Sequence, residues 1–227
     1  MDPPVDKLAF EHGNTIGATP LTHEEFDSDN DKFTYAVFSD LTGGERPKIF
    51  EIAVAQLNLL LPELIINVGD LIDGGTADLD DLDAQWDSFD ERAKQAKTPV
   101  FYAGGNHDLT GQVLQQVWDE RYGRRYYHFV YKNVLFLVLD TEDNTPERAR
   151  EVFEIRKRAL ERIKKEGMEV FDETEYATLP EQTREILHPS NQRTFAALSL
   201  KTRMCAGRFS SCTRHPGSAR TKTASRP

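Results

Sequence analysis

The chain has 227 residues, and its 38 Asp and Glu outnumber its 28 Lys and Arg for a formal net charge of -10. That length builds one domain with a core, and a mean hydropathy of -0.58, with no long apolar run, excludes a helix spanning a bilayer. The charge is uneven: residues from Lys201 to Pro227 carry seven Lys or Arg and no acid, and both cysteines, Cys205 and Cys212, lie there. No disulfide or cysteine-rich metal site is therefore expected in the main body. Met1-Asp2-Pro3-Pro4 lacks the basic start and apolar core of a signal peptide, so the expected location is cytoplasmic.

Residues 1–31 are polar, without a sustained period, and read as an irregular leader. Thr34 to Ser39 is the first expected strand, ending at Asp40-Leu41-Thr42. Pro47 opens a helix whose apolar face is read as Ile49, Ile52, Ala53, Leu57 and Leu60, and Pro62 stops it. Leu64 to Val68 is a second strand, apolar but for Asn67, as expected of a strand covered on both faces. It runs into Gly69-Asp70-Leu71-Ile72-Asp73-Gly74-Gly75.

Asp78 to Ala96 reads as a helix with Leu79, Leu82, Trp86, Phe89, Ala93 and Ala96 inward. Asp78, Asp80, Asp81 and Asp83 crowd its positive end while Lys94 and Lys97 close it, which suits the helix dipole better than calcium binding. A third short strand, Pro99 to Ala103, precedes Gly104-Gly105-Asn106-His107-Asp108. A helix from Thr110 to Tyr122 and a hairpin follow, the hairpin joining Tyr126–Tyr131 to Val134–Asp140 through Lys132-Asn133.

Pro146 to Glu166 is a long amphipathic helix with Val152, Phe153, Leu160 and Ile163 on its apolar side and Gly167 as C-cap. Its Arg156-Lys157-Arg158 run is diluted by Glu151, Glu154 and Glu161, which argues for a solvated face over a nucleic-acid contact. A short helix is expected from Ser190 to Ser199.

In an α/β sheet, strand C-termini gather on one edge and ligands bind there. Three strands would thus deliver Asp40, Asp70, Asn106, His107 and Asp108 to one neighbourhood, a donor set able to hold a divalent metal and supply an acid. Each residue also has a plain reading, as helix cap, turn former or shaper of a Gly-rich loop.

The ordered trio, strand-Asp, strand-Gly-Asp-x-x-Asp and strand-Gly-Asn-His-Asp, with the aromatic hairpin behind it, resembles the calcineurin-like metallophosphoesterases over roughly residues 32–200. The resemblance implies an α/β fold, a two-sheet β-sandwich flanked by helices. It implies a hydrolase of phosphate mono- or diesters using water activated by two divalent metals, Mn, Fe or Zn. By the same resemblance Asp70 bridges the metals, Asp40 serves the first and Asn106 the second. His107 is then the leaving-group acid or a transition-state stabiliser and Asp108 its orienting carboxylate, while Asp73 shapes the turn.

The departures are specific. The family's first motif is Asp-x-His, and Thr42 stands at the His position; the downstream lone His and the Gly-His-x-His motif are absent. Weak or lost activity is therefore expected, and a non-catalytic binding module is the alternative. A nucleic-acid-associated protein acting through the basic tail is a third reading. After Leu200 the pattern of a fold stops. Codons for Phe209-Ser210-Ser211-Cys212-Thr213, read from each third base beginning with that of Arg208, give four apolar residues and then His or Tyr. A frameshift near Leu200 is accordingly expected, leaving residues 32–200 as a partial domain with its C-terminal part missing and residues 201–227 as a disordered, out-of-frame tail.

Overall fold

Two three-stranded sheets, described in a computed structural model over residues 10–12, 17–26, 32–42 and 46–183, organise the chain. The first sheet is antiparallel, in the order β1 (Phe10–His12), β5 (Tyr127–Tyr131), β6 (Val134–Val138). The second is parallel, in the order β2 (Tyr35–Phe38), β3 (Leu64–Asn67), β4 (Val100–Phe101). Its register pairs Tyr35 with Leu64 and Phe38 with Asn67, then Ile65 with Val100. Helices α1 (Ile49–Leu60) and α2 (Leu79–Ala93) form the crossovers that parallel strands require.

Alternation along the parallel strands divides the core. Ile65 and Val100 face one apolar cluster with Phe50, Val54, Trp86, Phe89, Trp118 and Tyr122. Leu64 and Phe101 face another, shared with Tyr127, Phe129 and Tyr131 of the antiparallel sheet. There the rings of Phe101, Phe129 and Phe136 stack at centroid spacings of 4.0 and 4.6 Å, joining the two sheets. On the helical side Trp86 meets Trp118 and Tyr122 edge-on at 5.6 and 5.0 Å. Trp86 is fully buried, so truncating it to Ala would cost about 3–5 kcal/mol.

The hairpin forms as expected: Lys132 and Asn133 both take positive φ, 45° and 64°, the twist that a two-residue turn between antiparallel strands demands. The Asp78 carboxylate caps α2, accepting from the N–H groups of Asp80 and Asp81 at 3.0 and 3.2 Å, so part of that acid cluster serves the helix end. Helix α4 (Gln112–Tyr122) is the helix read from Thr110 to Tyr122, and a short α3 (Asn106–Leu109), not read from sequence, precedes it. Helix α5 (Pro146–Glu166) starts on Thr145, whose hydroxyl accepts from Arg148 N–H, and ends at Gly167, whose N–H reaches Ile163 O at 2.8 Å. Two 3-10 segments, Met168–Glu173 and Tyr176–Thr178, and α6 (Pro180–Thr183) fold back on it.

Five sequence readings are corrected. The leader is not wholly irregular: Phe10–His12 pairs with Tyr131–Phe129, Thr22 N–H donates to Val100 O at 3.1 Å, and Phe26 packs on Tyr131. Helix α1 buries Phe50 and Val54 and half-buries Leu57, while Ile49, Ile52, Ala53 and Leu60 are exposed. Leu79 of α2 is exposed. Helix α5 buries Ala149, Val152, Ile155, Arg156 and Ala159 rather than turning Leu160 fully inward. Arg156, read as part of a solvated basic run, is 2% exposed. The expected helix at Ser190–Ser199, both cysteines, the basic tail and the frameshift lie outside the described residues.

Among the described residues the outer edge of β2 has no strand beside it, and Val37 on that strand is 54% exposed. Tyr35 and the Leu59-Leu60-Leu61 end of α1 are exposed too. No described helix is long and apolar enough to cross a membrane.

Candidate metal centre

The parallel sheet delivers its three turns side by side. Strand β3 is central, so the turn after it lies between the turns that follow β2 and β4. Backbone bonds continue past the strand ends: Asp40 N–H donates to Gly69 O at 3.2 Å, Leu41 N–H to Asp70 O at 2.9 Å, and Ala103 N–H to Asn67 O at 3.2 Å. Asp70 consequently stands between Asp40 on one side and Asn106 on the other. It is the residue of the set placed to serve both.

Both aspartates occupy the left-handed region, Asp40 at φ 57° and Asp70 at φ 60°. The Ser39 hydroxyl bonds the Asp40 carboxylate. Asp40 is the exposed member of the set and borders a cleft of about 290 Å³ lined by Phe38, Leu41, Thr42, Arg46 and Phe50. Thr42 supplies a hydroxyl where an imidazole would be the stronger ligand.

The second and third turns interlock through glycine. A Cβ on Gly69 would lie 2.8 Å from the Gly105 Cα, and one on Gly105 would lie 2.7 Å from the Asp70 nitrogen and overlap the Asp70 carboxylate. Only bare backbone permits this approach. Asp108 fastens it. Its fully buried carboxylate accepts from Asp70 N–H and Gly105 N–H through Oδ2, both at 2.8 Å, and from Leu71 N–H and Ile72 N–H through Oδ1 at 2.8 and 3.1 Å. Burial pushes this carboxyl up to about 7, and the backbone donors, that of Gly105 foremost, oppose the rise. This corrects the expectation that Asp108 orients His107: its oxygens are engaged by the two turns.

His107 is oriented by a different group. Its Nδ1 lies 2.8 Å from the carbonyl oxygen of Asp73, which can only accept, so Nδ1 carries the proton and Nε2 is left for another partner. Its backbone N–H donates to Asp70 Oδ1 at 3.0 Å. The same Asp73 carbonyl accepts from Arg156 Nη2 at 3.4 Å. Burial, and then the Arg156 charge, hold the imidazole below its usual range, while Asp70 pulls it back.

Asn106 opens α3, and its Nδ2 donates to the Tyr176 hydroxyl at 3.2 Å. Tyr176 is buried against α5 with Val152, Ile155, Ala159 and Leu179. Its hydroxyl also bonds Thr110, whose own hydroxyl donates to Glu142 Oε2 at 3.3 Å. Burial, aided by Asp140, pushes the Glu142 carboxyl up to about 7.

The fold thus brings all five expected residues to one sheet edge. Sequence reading missed Arg156, Thr110, Glu142 and Tyr176. A signal existed for Arg156, which sits four residues after Val152 and four before Leu160, in the apolar stripe. Tyr176 lies on a three-residue 3-10 turn without any motif. Among the described residues no three His, Cys, Asp or Glu side chains group closely enough to hold a metal by themselves. The donors at hand are two carboxylates and an amide oxygen, hard ligands that suit a hard or borderline divalent cation and leave coordination positions for water.

A sequence description of the calcineurin-like phosphoesterases matches residues 33–191. Searches of curated proteins and of solved structures found no match. The match spans most of the chain and includes every strand of the parallel sheet with its three acidic turns, and the chain belongs to the calcineurin-like phosphoesterase family.

Proposed function

We propose that the chain is a metal-dependent phosphoester hydrolase in which Asp40 and Asp70 hold one divalent cation and Asp70 and Asn106 a second. The observation that carries this reading is the central position of the Asp70 turn, laced by backbone bonds to the Asp40 turn and interlocked through glycine with the Asn106 turn. Bound there, the cations would supply Lewis acidity toward phosphoryl oxygens and acidify water. Mn, Fe and Zn all accept this donor set.

His107 acts on the leaving oxygen through Nε2, because Nδ1 is committed to Asp73 O; it donates a proton there only as the imidazolium, which burial and the Arg156 charge disfavour. Asp108 contributes by holding the two turns in register and not by touching substrate. The finer architecture is a two-sheet sandwich, supported by the ring stack shared between the sheets. With two protein oxygens for each cation, binding is weak and turnover slow.

The test is hydrolysis of p-nitrophenyl phosphate and bis-p-nitrophenyl phosphate by the full chain with Mn, Fe or Zn added, beside Asp70→Asn. Metal-dependent release that Asp70→Asn abolishes is the expected result. Thr42, a poor ligand in place of an imidazole, favours a second reading, a non-catalytic binding module. Absence of metal binding together with no release of either product would establish that reading in place of the first, and tight stoichiometric metal binding would oppose it.

A further inference from the structure

The amide of Asn106 has two chemically different ends, and only the oxygen can ligate a cation. Which end faces Asp70 depends on what the other end binds. Here Nδ2 donates to the Tyr176 hydroxyl at 3.2 Å, and that hydroxyl is joined through Thr110 to Glu142. The Tyr176 oxygen accepts from Asn106, so the end of the amide that meets it is the N–H. The carbonyl oxygen is turned the other way.

Tyr176 is fixed for this task by packing that does not involve the three metal-binding turns. Its ring sits in the apolar cluster of Val152, Ile155, Ala159 and Leu179, and its residue is 5% exposed. Helix α5 also sends Arg156 to the carbonyl that holds His107. The segment after the hairpin, Pro146 to Thr183, therefore grips the Asn106–His107 pair at two points from outside the parallel sheet.

We infer that Tyr176 is a positioning residue of the metal centre, its hydroxyl in the relay Asn106–Tyr176–Thr110–Glu142 turning the Asn106 carbonyl oxygen toward the cation shared with Asp70. This rests on the reading of Asn106 as a ligand. Tyr176→Phe removes the hydroxyl and keeps the ring, so the apolar cluster survives. Outer partners of metal ligands typically change affinity by about 10–100-fold, and the lower end is expected here because Asp70 remains.

The experiment titrates Mn²⁺ alone, by electron paramagnetic resonance, into the full wild-type chain, Tyr176→Phe, Thr110→Val, Asn106→Ala and the double variant Tyr176→Phe with Asn106→Ala. Expected are two classes of bound Mn²⁺ in the wild type and an affinity about tenfold weaker in one class for Tyr176→Phe. A smaller loss in Thr110→Val and no further loss when Tyr176→Phe is added to Asn106→Ala complete the pattern. Turnover of Tyr176→Phe returns at saturating Mn²⁺, since the defect lies in binding. A purely structural role would lower the melting temperature and leave Mn²⁺ affinity untouched, which overturns the inference. Additive losses in the double variant overturn it too. If the wild type binds no Mn²⁺ at millimolar concentration, the metal-centre reading falls and takes this inference with it. Wild-type binding with unchanged Tyr176→Phe affinity sinks the inference alone.

Discussion

The two flanks of Asp70 are built to different standards. On the β4 side, the Gly69 and Gly105 turns touch backbone to backbone, a buried carboxylate collects four N–H groups across them, and Tyr176 of a 3-10 turn beyond the sheet bonds Asn106. On the β2 side, Asp40 is exposed and tied by its own backbone bond, that of Leu41 and its neighbour's hydroxyl, after a strand with no described neighbour beyond it. A central strand inherits constraint from both sides, whereas an edge strand has it from one. Of the two proposed cation positions, the one on the β4 side is accordingly the preorganised one.

The largest effect expected from breaking this contrast is at Gly105. Gly105→Ala places a methyl against Asp70, and forcing extra atoms into a close backbone approach costs about 1–3 kcal/mol. Mn²⁺ binding should be lost and the melting temperature should fall by several degrees. Wild-type Mn²⁺ titration by this variant would show that the interlock does not align the site.

Asp108→Asn comes next. An amide can satisfy only some of the four N–H groups, and each buried donor left without a partner costs about 1–3 kcal/mol. Urea denaturation should show a loss in that range. An unchanged midpoint would mean that the turns hold their register without the carboxylate.

Glu142 gives a smaller, pH-dependent effect. Its carboxyl is raised to about 7, chiefly by burial, so the folded chain keeps a proton that the unfolded chain releases in the usual carboxylate range. That contribution is complete below the unfolded pKa and is lost as pH rises through about 7. Thermal melts from about pH 5 to about pH 8 should therefore show a shallower decline in Glu142→Gln than in the wild type. Equal slopes would place the proton elsewhere.

The smallest effect lies on the weak flank. Val37→Lys puts a charge on the half-open strand β2, which should reduce self-association at high concentration with little change in melting temperature. Sedimentation at rising concentration reads it, and unaltered association would mean that this edge is not where copies meet.

Sequence made the strong flank legible in part. The Gly-Asp and Gly-Asn-His-Asp turns announce themselves because each needs a specific residue at each place. The Lys132-Asn133 turn was readable for a similar reason, lying between two alternating aromatic runs. The span of helix α1 was readable between its two prolines but its buried face was not, since Ile49, Ile52, Leu57, Leu59 and Leu60 ring it with apolar residues and no face stands out. Phe10–His12 is too short to show a period. The role of Asp108 was misread because its partners are backbone N–H groups, which leave no trace in side-chain identity. Tyr176 acts at a distance of 70 residues from Asn106, and only the folded chain joins them.

Asp40 and Asp70 sit in a left-handed backbone conformation that costs a side-chain-bearing residue roughly 1–2 kcal/mol and glycine almost nothing. The carboxylates proposed to carry the chemistry are thus also places where the metal-free chain carries backbone strain. Replacing Asp40 by Gly would relax the turn and remove a charge facing Asp70. Directed evolution that rewarded heat resistance alone would strip the cation ligands before it reached the aromatic core.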